Sequence, residues 1–579
     1  MKRTLGVFSL SLFVIGCGGA RGGAQKQPEP AAALHGIAPE QARWDELSTR
    51  YVERSFARDP GSAVAQGRHE FDGKVIDLSP EANAAWVAEL THFREEAEHF
   101  DAGTLDDARR FERAHLLAHV DRGLFTYTRL AQFERSPLAY ADMIDPSVYV
   151  TREYAPPAAR LTALIAHTRE IPRVLAQMKT SLRTPLPRTF VDVGLSVFGG
   201  LGPYLTDDVP PLFASVNDPA AQQALREATT AARAALDDVA RWLTAQKPTA
   251  TDSFALGPEL FREMLWAEER VSTPLDVLRA EGERDLQRNL DALAAACHEL
   301  KQPVLTKCVD VVNADKPAAG PVAAAREQVA DLRKRVADSG LVSIPGEEVA
   351  KVAEAPPYRR YNQAYIEIPG PYETNLPSTY YIAPPDPKWS REERDAYVPG
   401  ALDLLFITVH EVWPGHFLQF LHANRATRKF GRLFSGYAFA EGWAHYAEEL
   451  VWEEGLVGKD PKAHIAQLLN ALLRNVRFLS AIGMHTEGMT VAESERMFRE
   501  KALSDPGNAR QQAARGTFDP GYLYYTMGKL MIRKLRDDWT RTRGGRAAYR
   551  EFHDQLLSRG GPPLPLLREA MVGEDAGAL

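Results

Sequence analysis

A mainly α-helical chain with one small β-sheet is predicted by three features of this sequence. Long Ala/Leu/Arg/Glu-rich stretches carry apolar residues three and four positions apart, the period of an amphipathic helix. Proline and glycine clusters punctuate them at Asp59-Pro60-Gly61, Pro156-Pro157, Gly199 to Pro203 and Asp208 to Pro211. One short region, 364–382, instead alternates apolar and polar positions with β-branched and aromatic residues.

Taken in order, the helical pattern runs from Pro39 to about Gly340, with its clearest helices at Glu81 to Glu98, Ala220 to Gln246 and Pro274 to Leu300. Ala364 to Ile368 and Ser378 to Ile382 are the two expected strands, separated by Pro369-Gly370-Pro371 and further loop residues. Such a sheet either offers an edge to an extended peptide, with Tyr381 as a substrate-binding candidate, or serves as a cover for the core. Helical periodicity returns at Tyr397 to Ala426, Ala438 to Gly455, Lys462 to Glu487, Val491 to Ala502 and Tyr522 to Thr542. No repeat of fixed period and no internal linker divides the chain, so residues 37–579 are expected to form a single large domain. Within it, 37–340 is the N-terminal helical part and 341–579 holds the chemistry.

The first residues read as an address. Lys2-Arg3 precedes a short apolar run from Leu5 to Ile15, too short to span a bilayer as a helix. Val14-Ile15-Gly16-Cys17 resembles the bacterial lipobox, in which the cysteine is lipidated; the competing reading is an ordinary signal peptide with an incidental cysteine. The flexible composition of 18–36, rich in Gly, Ala, Gln and Pro, suits a tether and favours the lipoprotein. The expectation is a signal peptide over 1–17 and a body hung by Cys17 in the bacterial cell envelope, periplasmic or outer-membrane. A net charge of -8, from 69 basic and 77 acidic residues, gives no reason to expect nucleic acid as a partner. Cys297 and Cys308, with Pro303 between them, could pair outside the cytoplasm or stand as two buried thiols.

The chemistry is concentrated in two motifs, His410-Glu411-Val412-Trp413-Pro414-Gly415-His416 and Glu441-Gly442-Trp443-Ala444-His445-Tyr446-Ala447-Glu448. Two imidazoles and a carboxylate can hold Zn²⁺ with a position left for water, and a glutamate beside the first histidine can take that water's proton. The spacing poses a problem. Histidines on one face of a helix stand four apart, whereas His410 and His416 stand six apart, about 120° away from each other on a regular helix. Pro414 and Gly415 supply the expected remedy, a local break that absorbs two residues. Glu441 would approach from a second helix, and His445 or Glu448 would orient a ligand imidazole from behind.

Together these motifs resemble those of the bacterial family called domain of unknown function 885, which includes many lipoproteins. The likeness extends to Asp59-Pro60 with Ala65 and Gly67, and to Tyr525 with Gly528 and Arg536, and so covers most of the mature chain. That family in turn resembles helical gluzincin peptidases such as angiotensin-converting enzyme, thimet oligopeptidase and carboxypeptidase Taq. The resemblance implies a large helical zinc-peptidase-like fold with a small sheet next to the metal helix. It also implies one Zn²⁺ per chain, His410, His416 and Glu441 as ligands, and Glu411 as general base. Phe417 departs from the pattern, standing where many relatives have another histidine after Pro-Gly-His.

Catalysis at a carbonyl also needs a donor for the developing oxyanion. Tyr525 is the candidate, with Tyr522 and Tyr524 as neighbours able to replace it, and His485 is a second candidate where the family also tends to carry histidine. Arg536, on the helical face of Tyr525, is either a clamp for a substrate carboxylate or half of an internal salt bridge. Arg425, Arg428, Lys429 and Arg432 read as a solvated basic stripe. No G-x-S-x-G elbow, phosphate loop or C-x-x-C pair is present. The expected function is zinc-dependent cleavage of peptide bonds, in short peptides because helical walls would enclose the centre. The alternatives are a zinc hydrolase of another amide or ester, and a non-catalytic envelope binding lipoprotein.

Overall fold

In the computed structural model, residues 39–356, 363–373, 376–385, 390–573 and 579 are described. The signal peptide, Cys17 and the tether lie outside them. The chain forms two compact units: the described part of Met1–Ser253 with Pro369–Leu376 and Thr427–Phe434, and Phe254–Ile368 with Pro377–Ala426 and Ser435–Leu579. The division falls after Ser253, whereas the sequence suggested a change of character near Gly340.

The first unit is helical. Its longest described elements are α1 (Pro39–Arg58), α2 (Pro80–Glu98), α3 (Asp107–Leu124), α4 (Pro157–Ser181), α5 (Arg188–Pro203) and α6 (Pro219–Gln246). On α1, Trp44, Leu47, Tyr51, Val52 and Phe56 form the buried stripe and join Leu90, Phe93 and Leu116 in one apolar core. Polar N-caps set several starts: Ser79 accepts from the Ala82 amide at α2, and Asp218 from Ala220 and Ala221 at α6. Asp59-Pro60 also begins a helix, with Asp59 accepting from Ser62 N–H and proline in the first turn. The expected break at Gly199 to Pro203 does not occur. The helix continues through Pro203 into a wider turn over Tyr204–Asp208, and Gly202 gives room there for the Arg233 side chain. The expected basic stripe does not stand free as one helix either. Arg428 lies in the first unit, bonded to Asp45 at 2.6 Å and to Glu112.

The second unit contains α7 (Leu275–Glu299), α8 (Pro321–Ser339), strands β1 (Lys351–Glu354), β2 (Ala364–Glu367) and β3 (Thr379–Ile382), then α9 (Ala401–Glu411), α10 (His416–Ala423), α11 (Tyr437–Glu453), α12 (Pro461–Thr486), α13 (Pro506–Phe518) and α14 (Tyr524–Thr540). Cys297 and Cys308 are joined by a disulfide, which closes the loop after α7. The sheet has the order β1-β3-β2. β2 pairs antiparallel to β3 with Tyr365 opposite Tyr381, and β1, which the sequence pattern did not reveal, pairs parallel to β3. Tyr380 and Ile382 form the buried face of β3, and the Tyr380 hydroxyl lies 3.4 Å from Thr408 Oγ1 on α9. That contact fixes the sheet beside the helix that ends in His410-Glu411.

α11 is the axis of this unit. Every residue from Tyr437 to Val451 is buried except Glu441. The helix is thus buried on all sides, charged Glu448 and Glu449 included, and the one partly open position marks where it meets solvent. α14 crosses α11 at two glycines. A Cβ on Gly442 would sit 2.5 Å from Gly528 Cα, and one on Gly528 would sit 1.9 Å from the Ala438 carbonyl oxygen. The missing side chains allow the backbones to touch, and the crossing carries Tyr525 toward Glu441. α7 meets α12 in the same way through Gly282, against the Phe478 ring.

Candidate metal centre

α9 stops at Glu411 and α10 starts at His416, so the broken helix expected from Pro414-Gly415 is present. The Trp413–Pro414 peptide is cis. Across the break the Gly415 amide donates to the Val409 carbonyl at 3.0 Å, and the Leu418 amide to Val412 at 3.4 Å. Both bonds reach back six residues, where a regular helix reaches back four. The two additional residues are accommodated there. Gly415 is indispensable to the turn, because a Cβ would lie 1.8 Å from the His410 carbonyl oxygen. From α11, the Trp443 indole N–H donates to the Pro414 carbonyl at 2.8 Å and ties the break to that helix.

The result is convergence. The imidazole rings of His410 and His416 lie 4.8 Å apart at 83°. Their Nε2 atoms are 3.3 and 3.4 Å from the same oxygen, Oε2 of Glu441. One donor atom from each of the three residues lies within 4.8 Å of the others. The side chains are 10%, 13% and 15% exposed, so the group sits at depth with a limited opening. Oε2 is buried and makes no hydrogen bond of good geometry among the described residues, although two imidazole nitrogens face it. Two imidazole nitrogens and a carboxylate oxygen, aimed at one point without bonding one another well, fit a zinc ion.

Behind His410 stands Glu448, whose Oε1 lies 2.7 Å from Nδ1. That bond puts a proton on Nδ1, so Nε2, the nitrogen that faces Glu441, is the one a metal would use. Arg474 holds the same Glu448 oxygen at 3.0 Å. Burial opposes charge on His410, but Glu441 and Glu448 outweigh it and raise its pKa to about 9. Burial likewise opposes the Glu441 carboxylate, yet the imidazoles, His416 foremost, hold it well below the usual range. Glu411 shows the reverse balance: burial raises its pKa above the ordinary value, against the pull of His410, His416 and the Ile366 amide on β2.

Tyr525 lies over this group, its ring 6.5 Å from that of His410 and 18° from parallel. Its hydroxyl has no hydrogen bond among the described residues, and burial together with Glu441 raises its pKa, so it stays protonated as a donor. Tyr522 and Tyr524 are engaged elsewhere, with Ser480 at 3.0 Å and Glu268 at 2.8 Å.

Three other expected residues have different surroundings. His485 is bound on both ring nitrogens by the main chain, Nε2 to the Gly516 carbonyl at 2.7 Å and Nδ1 from the Leu256 amide at 3.3 Å. It holds backbone together and has no ring nitrogen left for a substrate. Arg536 is buried against the Tyr446 hydroxyl and Glu453, each at 3.2 Å, which makes it the internal salt bridge of the two readings. Tyr381 is half-buried, with its ring 5.2 Å from that of Tyr365 across the β2–β3 pair. The sequence reading missed Arg474 and Arg477 on α12. Two arginines three apart on an otherwise apolar face were the available signal.

The model for the family described as "Bacterial protein of unknown function (DUF885)" matches residues 60–571. Among the similar solved structures are two with nearly full coverage. One, a "putative lipoprotein of unknown function" from Shewanella oneidensis, shares 20% identity over 91% of this chain and 99% of its own, with a TM-score of 0.76. The other, described as the "putative lipoprotein" from Colwellia psychrerythraea, shares 15% identity over 92% of this chain and 99% of its own, at 0.77. Such identities support likeness of fold. No curated protein matches.

Proposed function

The chain belongs to the bacterial family DUF885, and from the residues of the candidate centre we propose that it is a zinc-dependent hydrolase of peptide bonds in short peptides. The observation that carries this reading is the convergence of His410, His416 and Glu441 across the broken helix, with Glu411 beside them. A zinc ion held by those three residues supplies Lewis-acid polarisation of water and of a substrate carbonyl. Glu411 takes the proton of the attacking water, a task suited to a carboxylate made more basic by burial, and returns it to the leaving amine. Tyr525 donates its hydroxyl proton as a hydrogen bond to the carbonyl oxygen as negative charge gathers there. The outer edge of β2, whose Ile366 amide faces Glu411, suits an extended peptide laid alongside. The limited exposure of the three ligands favours a thin, unfolded chain over the surface of a folded protein. The lipobox-like start and the descriptions of the two structural relatives support attachment to the envelope through Cys17.

Metal analysis of the chain expressed from Gly18 onward tests the centre, with about one zinc per chain expected. A panel of short peptides then tests the reaction. Glu411→Gln should keep the zinc and lower kcat by about 10²–10⁴-fold. Undiminished turnover in that variant, or a chain that takes up no zinc, would overturn the proposal.

A further inference from the structure

Arginines from α12 and α13 gather around Tyr525, and their charges are not all balanced. Arg474 has Glu448 at 3.0 Å, and Arg515 has Asp519 at 2.8 Å with the Tyr437 hydroxyl at 3.0 Å. Arg477 differs. Its Nε donates to the neutral amide oxygen of Gln512 at 2.9 Å, the single hydrogen bond it makes among the described residues, and no carboxylate of those residues lies within ion-pair distance. It is 8% exposed, and its guanidinium lies 4.9 Å from the centre of the Tyr525 ring. Burial and the neighbouring Arg515 and Arg474 all disfavour its charge, yet a guanidinium does not give up its proton in a protein. A cation this deep with a neutral partner exerts a standing attraction on an anion brought from outside.

Its location says which anion. The same Tyr525 ring that Arg477 covers is stacked near His410, so one aromatic side chain separates the guanidinium from a ligand of the centre. The two distances, 4.9 and 6.5 Å, bound the span from the guanidinium to the His410 ring at about 11 Å, up to about three residues of extended chain at about 3.3–3.6 Å each. Resting on the hydrolase reading above, we propose that Arg477 binds a carboxylate of the substrate, held within about three residues of the bond that is cut. The planar donor pair matches a carboxylate in two parallel hydrogen bonds, and Gln512 fixes the plane from the Nε side. Two sources share this chemistry: the free end of a peptide chain, which would make cleavage release short C-terminal pieces, and an acidic side chain near the bond.

Three probes distinguish them: N-acetylated tetra-alanine as the free acid, the same peptide as its C-terminal amide, and an amide whose last residue is glutamate. With the zinc-loaded chain, the free acid should exceed the plain amide on the order of 10–100-fold in kcat/KM, through KM. Arg477→Met should bring that ratio to about one, and Arg477→Lys, which keeps a cation in case the Met variant fails to fold, should retain part of it. Recovery of the preference by the glutamate amide assigns the anion to a side chain; its failure assigns the anion to the chain end. Equal use of acid and amide by the unmodified chain, or a ratio unchanged in Arg477→Met, overturns the proposal. Calorimetric binding of the same probes to the Glu411→Gln chain needs no turnover. Acid-selective binding that is lost on adding Arg477→Met, with no probe cleaved by the parent, would retain the carboxylate site and overturn the hydrolase. Cleavage without acid selectivity would do the opposite, and absence of both would remove both.

Discussion

At the residue scale, Glu448 touches the candidate centre through His410. It is fully buried, it fixes the Nδ1 proton, and Arg474 together with His410 holds its carboxyl below the usual range against the cost of burial. Glu448→Gln removes that charge while keeping the shape, and zinc affinity should fall by about 10–100-fold, measured by competition with a chelator. An affinity equal to the parent would mean that the ion does not depend on the His410 tautomer. His69, in the first unit, carries a pH prediction. It sits 3.0 Å from Asp72 and 3.1 Å from Glu373, stacked on Tyr154. Burial opposes its charge, but the two carboxylates raise its pKa to about 9, compared with about 6.5 unfolded. A raised pKa means that the folded state binds the proton more tightly. The stabilisation is therefore complete below about pH 6.5 and is lost as pH rises through about 9. The difference in urea midpoint between the parent and His69→Gln should be larger near pH 6 than near pH 10. A difference that does not change with pH would refute the linkage. At this scale the candidate site was largely legible: His410, Glu411, His416 and Glu441 stand out by residue type within two short motifs, and Tyr525 by its place on a helical face with Gly528 and Arg536. Arg477 did not, because an unpaired charge is defined by which partners are absent in space.

At the element scale, helix limits could be read to within one to three residues wherever a cap was local, as at Asp218, Asp460 and Thr490. The strand β1 could not, because its pattern is short and its partner β3 lies 28 positions away in sequence. The broken helix is the element that brings His410 and His416 of the candidate centre together. Gly415→Ala forces a Cβ into the His410 carbonyl oxygen. The expected result is loss of bound zinc with far-UV circular dichroism close to that of the parent, since the clash is confined to one turn. An alanine variant that still carries one zinc would mean that the turn has another way to close.

At the scale of the whole molecule, the Cys297–Cys308 bridge closes a loop with a sequence separation of 11 residues. Its contribution through the unfolded chain is about 2–3 kcal/mol. Replacing both cysteines by serine should lower the unfolding free energy read from urea titration by about 2–3 kcal/mol, and an unchanged value would show that the unfolded chain is not restrained there. No described helix is long and apolar enough to cross a membrane. The sequence by itself determined the helical class, the composition of the candidate centre and the need for a break between His410 and His416. Those features follow from periodicity and from residue chemistry, both of which act over a few positions. The tertiary structure decided how the break closes, which arginines find a counter-charge, and that Arg536 and His485 are engaged within the protein. Those outcomes depend on packing between elements far apart in the chain: Gly442 on Gly528, Trp443 on Pro414, and Glu448 on both His410 and Arg474.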